Sequence, residues 1–337
     1  MRDKSIIRWG IIGAGDIAER VTAPAMASAA HSELVAVMRR DRTAAEEFAG
    51  RHGASRAYDR VEGLLGDPEI DAVYVATPVE RHCPDVLAAA TSGKHILCEK
   101  PLALSVLDGE RMRVACELAD VLFMTCYYQR FNARHRRIKE LLAAGEIGQV
   151  TSVRMNFSGR SPQCPGAWRQ DRSKSGGGVY IDNGSHCIDL LRFFFGEITA
   201  VTAFVDTLVE SYSVEDTVSS ILRLSNGAQA VVTCHWSTGD PDDDRNAIME
   251  ILGTEGAILS SPQHEKFSRG RLVVATGSGE QTYSFEESTH VNMLEEFAAT
   301  VAEGRLPAVG IEDGIAAQRV VEAVYESSRS GRVVRLQ

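Results

Sequence analysis

The start of the chain limits the possible folds more than any other segment. A strand-like apolar run over residues 6–12 leads directly into the sequence GAGDIA at residues 13–18, and a second strand-like run covers residues 33–38. A strand that enters a G-x-G-x-x-A turn and then a helix presents backbone amides to a phosphate group, beside the positive end of the helix dipole. The segment therefore predicts a strand–helix–strand unit of a parallel sheet that binds the pyrophosphate of a dinucleotide.

The small residues of this turn have separate roles. Gly13 permits the tight turn, Gly15 lets backbone amides approach the pyrophosphate, and Ala18 allows close packing of the helix. A purely structural glycine turn is the alternative, but the second strand at the expected distance favours nucleotide binding.

The residues after the second predicted strand indicate which dinucleotide is bound. NAD-binding proteins usually place Asp or Glu there for the ribose 2′-hydroxyl, whereas this chain has RRDR at residues 39–42. Arginines such as Arg39 and Arg40 form charge-assisted hydrogen bonds to a 2′-phosphate, which a carboxylate would repel. We therefore expect NADP(H) to be preferred, with NAD(H) possible. The alternative is that these arginines form a solvated helix start capped by Asp41.

A charged pair stands at the end of another predicted strand. Glu99 and Lys100 follow the short strand-like run 94–98 and precede Pro101. Proline restricts the preceding residue to extended geometry, so Lys100 is held at the carboxyl end of its strand. Ligands bind at that edge of an open parallel sheet, and an exposed ion pair there would contribute little stability, so the position favours a functional role.

A later segment combines polar groups with apolar surroundings. Asp182, His186 and Asp189 are spaced by four and three residues, between three glycines at 176–178 and three phenylalanines at 193–195. On a helix the three side chains share one face, and their neighbours indicate that much of this face is buried. A buried carboxylate beside an imidazole is suited to proton transfer, whereas a core histidine satisfied by a neighbouring aspartate is the structural alternative.

The order of the predicted elements divides the chain into two domains. Residues 1–125 alternate short apolar strands with helical stretches, which predicts a Rossmann-type, doubly wound parallel sheet. From residue 150 onward strands follow one another, and two amphipathic helices around 291–303 and 312–328 close the chain. We therefore expect an α/β chain whose residues 126–337 form an α+β domain with a large, mostly antiparallel open sheet. Its predicted strands are 151–157, 201–205, 218–224, 229–235, 247–252 and 271–275.

Motifs along nearly the whole chain resemble one family. They are Gly13 to Gly15, Ala76-Thr77-Pro78 with His82, Cys98 to Pro101, Gly145 to Gly148, Gly176 to Gly178 with Asp182, His186 and Asp189, and Gly253 to Gly256. Together these motifs resemble the glucose-fructose oxidoreductase, inositol dehydrogenase and MocA (Gfo/Idh/MocA) oxidoreductases. Within that family the chain resembles the NADPH-dependent sugar reductases of the 1,5-anhydrofructose reductase kind, chiefly through Tyr74-Val75, the GAWR sequence at 166–169 and the missing acidic residue after the second strand.

The resemblance implies a set of site residues. The implied catalytic residues are Lys100, Asp182 and His186. The expected cofactor contacts are Gly13, Ala14, Gly15, Asp16, Ile17, Arg39, Arg40, Ala76, Thr77, Pro78, His82, Glu99, Lys100, Trp168 and Arg169. The expected substrate contacts are Lys100, Tyr128, Arg169, Asp182 and His186. Further specificity residues are expected among Tyr127, Arg154, Asn156, the 159–174 loop, His235 and Trp236. Val79 and Cys126 replace asparagines common in the family, which removes side-chain amides expected near the nicotinamide ribose, so neither is counted among these cofactor contacts.

These residues predict reversible hydride transfer between nicotinamide C4 and a carbinol carbon of a sugar, anhydro-sugar or cyclic polyol. Lys100 is expected to hydrogen-bond the substrate oxygen, His186 to donate the proton and Asp182 to orient the imidazole, while Asp189 supports its helix. Two alternatives stay open: a dinucleotide-binding sugar sensor or transcriptional co-regulator, and an NAD-dependent glycosidase that recycles its cofactor internally. The presence of all three implied catalytic residues favours an enzyme.

Charge and cysteine content argue against other classes of protein. The net charge of −10 argues against nucleic-acid binding. Seven cysteines without a C-x-x-C pair predict reduced thiols and a cytoplasmic location, and no membrane span or signal-peptide core is predicted. The acidic run 240–244 lacks a metal-ligand spacing, so no metal is predicted. Since proteins that resemble this one often associate through the second sheet, we expect a homodimer or homotetramer.

Overall fold

The computed structural model describes residues 6–159, 166–237, 247–261, 270–285 and 288–336. The chain divides into two units: the first contains residues 1–128 and 290–316, and the second contains residues 129–289 and 317–337. The acidic run 240–244 and part of the 159–174 loop, both considered in the sequence analysis, lie outside the described residues.

A six-stranded parallel sheet forms the centre of the first unit. Its strands are β1 (Ile7–Ile12), β2 (Ser32–Met38), β3 (Arg56–Tyr58), β4 (Ala72–Val75), β5 (His95–Cys98) and β6 (Phe123–Thr125). They lie in the order β3-β2-β1-β4-β5-β6, and all five pairings are parallel. The order reverses direction between β1 and β4, where a doubly wound sheet places its ligand crevice. The predicted doubly wound domain is confirmed.

The α-helices of the described chain follow the predicted pattern. They are α1 (Ala23–Ser28), α2 (Arg42–His52), α3 (Val61–Leu65), α4 (Val79–Thr91), α5 (Val106–Leu118), α6 (Ala133–Ala143), α7 (Arg172–Ser175), α8 (Ser185–Phe195), α9 (Thr289–Glu303) and α10 (Ile311–Ser330). Within the described ranges, none of these helices combines the length and apolar character that a bilayer span requires.

The segment 290–316 belongs to the first unit, whereas the sequence-based division at residue 125 placed it in the second. Its side chains complete the core around the parallel sheet: the fully buried Trp9 of β1 lies 4.7 Å from the ring centroid of Phe297 on α9. Gly109 on α5 lets α10 approach, because a Cβ atom there would lie 2.9 Å from Ile315 Cγ1. Periodicity predicted both helices correctly but carries no information about which sheet they cover.

A nine-stranded sheet forms the second unit. Its strands are β7 (Val150–Phe157), β8 (Ile198–Asp206), β9 (Thr217–Leu224), β10 (Gln229–His235), β11 (Ala247–Gly253), β12 (Gly256–Ser261), β13 (Gly270–Thr276), β14 (Gly279–Phe285) and β15 (Val334–Arg335). The order is β14-β13-β12-β11-β7-β10-β9-β8-β15, and every pairing except the parallel pair β7–β10 is antiparallel. This confirms the predicted antiparallel open sheet.

Four of the strands carry too weak a sequence signal to be predicted. β14 has the polar sequence GEQTYSF, and pairing with β13 rather than burial defines it. β3 has three residues and β15 has two, which is too short for an alternating pattern to emerge. β12 buries only Ile258 and Ser260, so its hydrophobic pattern is also weak.

Candidate active site

The glycine loop after β1 is packed against the loop after β4. Gly13 has a φ of +92°, and a Cβ atom there would lie 2.8 Å from backbone atoms of Ala76 and Thr77. The corresponding space at Gly15 is open, because the nearest heavy atom would be 3.9 Å from an added Cβ. The loop therefore has one glycine that the protein itself requires and one that leaves room for a ligand to approach the backbone.

The helix after this loop offers unused amide donors. The amides of Gly13 and Ala14 donate to Met38 O at 3.1 Å each, and the helix begins at Asp16. Amides in the first turn, such as those of Asp16 and Ile17, have no preceding helical carbonyl to donate to. The carboxylate of Asp16 forms an ion pair with Arg20. Together the open space and the amide donors fit a pyrophosphate.

The charged residues at the end of β2 differ in whether they have partners. The Asp41 carboxylate caps α2, accepting a hydrogen bond from the Ala44 amide at 3.1 Å, and Arg42 Nε lies 2.7 Å from a carboxylate oxygen of Glu46. Arg39 and Arg40 are exposed, and neither forms an ion pair with any residue that the structure describes. Two guanidinium groups therefore remain available at the expected 2′-phosphate position, while Asp41 is used as a helix cap.

His82 contacts the loops that follow β4 and β5. Its side chain is buried, with Nε2 2.9 Å from Thr77 O and Nδ1 3.0 Å from Pro101 O. Burial lowers the pKa of this histidine. The structure therefore places His82 between the loops after β4 and β5, with its ring nitrogens directed at backbone carbonyls. We interpret it as a support of both loops, and its expected contact with the cofactor stays a prediction.

Hydrogen bonds orient the side chain of Glu99 beside Lys100. The Tyr74 hydroxyl donates to Glu99 Oε1 at 2.6 Å, and the Lys100 amide donates to Glu99 Oε2 at 3.1 Å. Burial raises the pKa of the nearby Cys126 thiol well above its ordinary value, so this thiol stays protonated. Glu99 and Lys100 thus stand, as predicted, at the carboxyl edge of the parallel sheet.

An aromatic contact in the first unit fixes the ring of Tyr128. This ring stacks on that of His290, with centroids 4.4 Å apart. Burial lowers the pKa of His290 to about 4, so the stacked imidazole is neutral at physiological pH. Tyr128 is half-buried and begins a short 3-10 turn over residues 128–131.

In the second unit, three predicted site residues lie together. The Arg169 guanidinium stacks over the Trp168 ring at 4.5 Å, and Arg169 Nε lies 3.6 Å from Asp182 Oδ2. The ring and the carboxylate hold the planar guanidinium in one orientation. Both members of the ion pair are partly exposed, so the guanidinium stays accessible to a ligand. The partly exposed Arg169 and Asp182 can therefore form hydrogen bonds to an anionic or hydroxyl-rich ligand.

The three glycines before Asp182 allow a tightly packed turn. Gly176 ends α7 with a φ of +82°, and a Cβ atom on Gly178 would lie 2.0 Å from Glu215 O. Glu215 is buried, and its Oε1 accepts hydrogen bonds from the Tyr180 amide at 3.2 Å and the Tyr325 hydroxyl at 2.7 Å. Glu215 therefore anchors the start of the turn that carries Asp182, a role that the sequence did not reveal.

Residues 180–184 form a π-helical turn ahead of α8, so Asp182 and His186 do not lie on one continuous α-helix. The side chain of Asp182 is 23% exposed, whereas His186 is buried and its ring lies 5.7 Å from that of Phe157. The wide turn thus separates a solvent-accessible carboxylate from a buried imidazole one turn later. Such π-turns are frequent at functional sites.

Asp189 anchors α8 and takes the supporting role expected for it. Its buried carboxylate accepts hydrogen bonds from Arg130, at 3.0 Å from Nε and 2.6 Å from a terminal guanidinium nitrogen. The same guanidinium lies 5.5 Å from the ring centroid of Phe193. The aromatic run after His186 therefore belongs to the packing that fixes this helix.

The structure places Arg154 and Asn156, which were expected to set substrate specificity, on the face of the nine-stranded sheet away from His186, and their role in specificity stays a prediction. Residues of β7 alternate between the two faces of the sheet, and Phe157 lies against His186. Arg154 and Asn156 therefore point to the other, open face, where Arg154 lies 3.2 Å from a carboxylate oxygen of Glu250. His235 is on the open face as well, because its neighbour Cys234 is buried.

Family models match both halves of the chain. Residues 7–127 match the model described as "Oxidoreductase family, NAD-binding Rossmann fold", and residues 135–259 match the "GFO/IDH/MocA C-terminal domain". The first match covers the parallel sheet with its glycine loop and Lys100, and the second covers the turn with Asp182 and His186.

Relatives and solved structures match along nearly the whole chain. The 1,5-anhydro-D-fructose reductase of Ensifer adhaerens is 30% identical, covering 98% of both chains. D-xylose 1-dehydrogenase (NADP(+)) 2 of Haloferax volcanii is 32% identical, covering 97% of this chain and 99% of its own. The solved levoglucosan dehydrogenase in complex with NADH and levoglucosan has a TM-score of 0.89 at 25% identity, covering 98% of this chain and 99% of its own.

Proposed function

The chain belongs to the Gfo/Idh/MocA oxidoreductase family, and we propose that it is an NADP(H)-dependent oxidoreductase that transfers a hydride between nicotinamide and a carbonyl or secondary alcohol of a sugar, anhydro-sugar or cyclic polyol. The observation that carries the proposal is the cluster of Trp168, Arg169 and Asp182, one helical turn before the buried imidazole of His186. It joins binding groups for hydroxyl-rich molecules to a proton donor, which a hydride-transfer site requires in addition to its cofactor.

Preference for NADP(H) is the second part of the proposal. It is supported by the exposed guanidinium groups of Arg39 and Arg40 and by the use of Asp41 as a helix cap. NAD(H) remains a usable cofactor in this account, because the glycine loop and first-turn amides bind the pyrophosphate that both cofactors share. The relatives include one named for NADP(+) and one solved with NADH, so the choice depends on this chain's own residues.

Each catalytic residue has a distinct role in the proposed reaction. The bound cofactor supplies or accepts the hydride. Lys100 donates a hydrogen bond to the reacting substrate oxygen and stabilises the negative charge that develops during reduction. His186 transfers the proton to that oxygen, and Asp182 orients the imidazole and stabilises its charged form. Arg169, whose Nε lies 3.6 Å from Asp182 Oδ2, forms an ion pair with this carboxylate.

Replacement of His186 tests this assignment, with His235 as a matched control. His186→Gln should lower kcat by about 100-fold or more, the usual contribution of a general acid, while the NADPH dissociation constant stays within about twofold. His235→Gln changes a half-buried histidine on β10, on the face of the nine-stranded sheet away from His186, and should leave kcat unchanged. Unchanged turnover in His186→Gln would reject its role as the acid.

The substrate panel separates this proposal from its two alternatives. Wild-type protein is titrated with NADPH and NADH and then offered keto-sugars, anhydro-sugars and inosones. Oxidation of NADPH by any member supports the reductase. Tight cofactor binding without turnover would favour a sugar sensor, and turnover of a glycoside without net NADPH oxidation would favour a recycling glycosidase.

We also propose that two copies of the chain associate through the open face of the nine-stranded sheet. One row of residues across it, in register, contains the exposed apolar side chains of Ile221, Val231 and Leu259 with the Arg154–Glu250 ion pair at its centre. A twofold axis near that pair would place Arg154 of one copy against Glu250 of the other, and the apolar side chains of one copy against those of the other. We expect light scattering to show a dimer or tetramer for the wild type and a monomer for Val231→Glu. A monomeric wild type would contradict this proposal.

A further inference from the structure

A chain of hydrogen bonds in the first unit joins two buried side chains to a partly exposed carboxylate. Thr22 Oγ1 donates to the Tyr74 hydroxyl at 3.0 Å, and that hydroxyl donates to Glu99 Oε1 at 2.6 Å. The other carboxylate oxygen, Oε2, accepts the amide of Lys100 at 3.1 Å. Thr22 and Tyr74 are fully buried, whereas Glu99 is partly exposed. The chain therefore begins in the core and ends at a carboxylate that a ligand can reach.

The hydroxyl of Tyr74 is unusual for its position. The other residues of β4, which are Ala72, Val73 and Val75, are apolar and fully buried. A hydroxyl in such a central strand costs free energy unless it is hydrogen-bonded, and phenylalanine would fill the same space without that cost. Burial, with the nearby charge of Glu99, raises the pKa of Tyr74 well above 10, so the phenol stays protonated and acts as the donor.

The hydrogen-bonded chain joins two parts of the proposed cofactor site. Thr22 is the last residue of the π-helical turn Ala18–Thr22, in the helix that follows the glycine loop. Glu99 follows β5 directly, next to Lys100. Tyr74 is the middle member of these three side chains. Its hydroxyl contacts Thr22, in the helix after the glycine loop, and Glu99, beside Lys100.

We propose that Tyr74 is a positioning residue of the cofactor site: it fixes the carboxylate of Glu99, and Thr22 in turn fixes Tyr74. A carboxylate held by two donors still has lone pairs that can accept further hydrogen bonds, and ribose hydroxyl groups of a nicotinamide cofactor are donors of that kind. The inference rests on the proposed function, because Glu99 and Lys100 are site residues only if the first unit binds such a cofactor.

Tyr74→Phe tests the proposal, and Tyr58→Phe is its matched control. The Tyr58 hydroxyl also donates to a carboxylate, that of Asp67 at 3.0 Å, but on the edge strand β3. Loss of one hydrogen bond to a charged group should weaken NADPH binding by about tenfold in Tyr74→Phe. Tyr58→Phe should leave NADPH binding within about twofold of wild type, although it removes a comparable bond from the fold.

A double-mutant cycle separates positioning from a general structural effect. If Tyr74 acts through Glu99, Tyr74→Phe should weaken NADPH binding further by less than about twofold when Glu99 is already glutamine. Thr22→Val should weaken binding by about threefold, and Thr22→Ser, which keeps the hydroxyl, should restore it.

Wild-type affinity in Tyr74→Phe, or effects of Tyr74→Phe and Glu99→Gln that simply add, would overturn the proposal while leaving the proposed function intact. A wild-type protein that binds neither NADPH nor NADH would overturn both.

Discussion

Replacing Arg39 and Arg40 by serine should change which cofactor the protein prefers. In the structure both guanidinium groups are exposed, and neither is paired with a carboxylate among the described residues. Their charge is therefore available to the 2′-phosphate that distinguishes NADPH from NADH. The quantity to measure is the ratio of the two dissociation constants, because damage to the shared pyrophosphate site changes both constants equally.

The magnitude follows from the chemistry of an exposed charge-assisted hydrogen bond. Such bonds contribute about 1.5 to 3 kcal/mol, and solvent exposure favours the lower end, so each arginine should contribute about tenfold to the ratio. The double variant should lower the preference for NADPH by about 100-fold. Raising the salt concentration from about 0.05 M to 0.5 M should lower the wild-type preference and leave the double variant nearly unchanged, because salt screens exposed charges.

Arg42 provides the matched control. It is two residues from Arg40, but its Nε lies 2.7 Å from a carboxylate oxygen of Glu46. Arg42→Ser should therefore change the ratio by less than about twofold. Fluorescence titration of each variant with NADPH and NADH gives the ratios. Equal weakening of both cofactors in the double variant, or an effect of Arg42→Ser as large as that of Arg39→Ser, would refute the reasoning.

Three further predictions concern the loop, the helix and the pH dependence. Gly13→Ala should abolish NADPH binding because its Cβ would lie 2.8 Å from the neighbouring backbone, whereas Gly53→Ala, with a φ of +74° and open space, should cost only about 1 kcal/mol of stability and leave cofactor affinity unchanged. Arg130→Met leaves the buried Asp189 carboxylate uncompensated and should lower the free energy of unfolding in urea by about 3 to 5 kcal/mol; a loss below about 1 kcal/mol would show that the pair behaves as a surface pair. Burial lowers the pKa of His135 to about 3, so its contribution to stability is complete above pH 6.5 and declines as the pH falls towards 3. The free energy of unfolding should therefore fall by roughly 2 kcal/mol between pH 6.5 and 5 because of His135. An equal fall in His135→Gln, which lacks the titrating imidazole, would contradict this assignment to His135.

The sequence predicted the parts of the protein that depend on local pattern. The glycine loop and β10 follow from residue spacing and alternation, and the structure has both where they were expected. The position of Arg154 on the open face also follows from the alternation of β7. Its sequence neighbours Val153 and Met155 are buried on the opposite face of the strand.

Other features depend on contacts between distant segments and have no local signal. Thr22 and Tyr74 are 52 positions apart, and the carbonyls around His82 come from two different loops. Glu215 reaches the amide of Tyr180 across 35 positions. A lone hydroxyl or charge within an apolar run, as at Tyr74, shows that a partner is needed but not which residue provides it.

The most direct test of the account follows a deuterium label from C4 of the reduced nicotinamide. NADPH carrying deuterium on the transferred face is incubated with wild-type protein and a keto-sugar or anhydro-sugar that the panel identifies, and the product is analysed by mass spectrometry. The account predicts one deuterium on the new carbinol carbon and one NADP⁺ formed for each product molecule. Product without the label, or conversion without net oxidation of NADPH, would contradict the central claim.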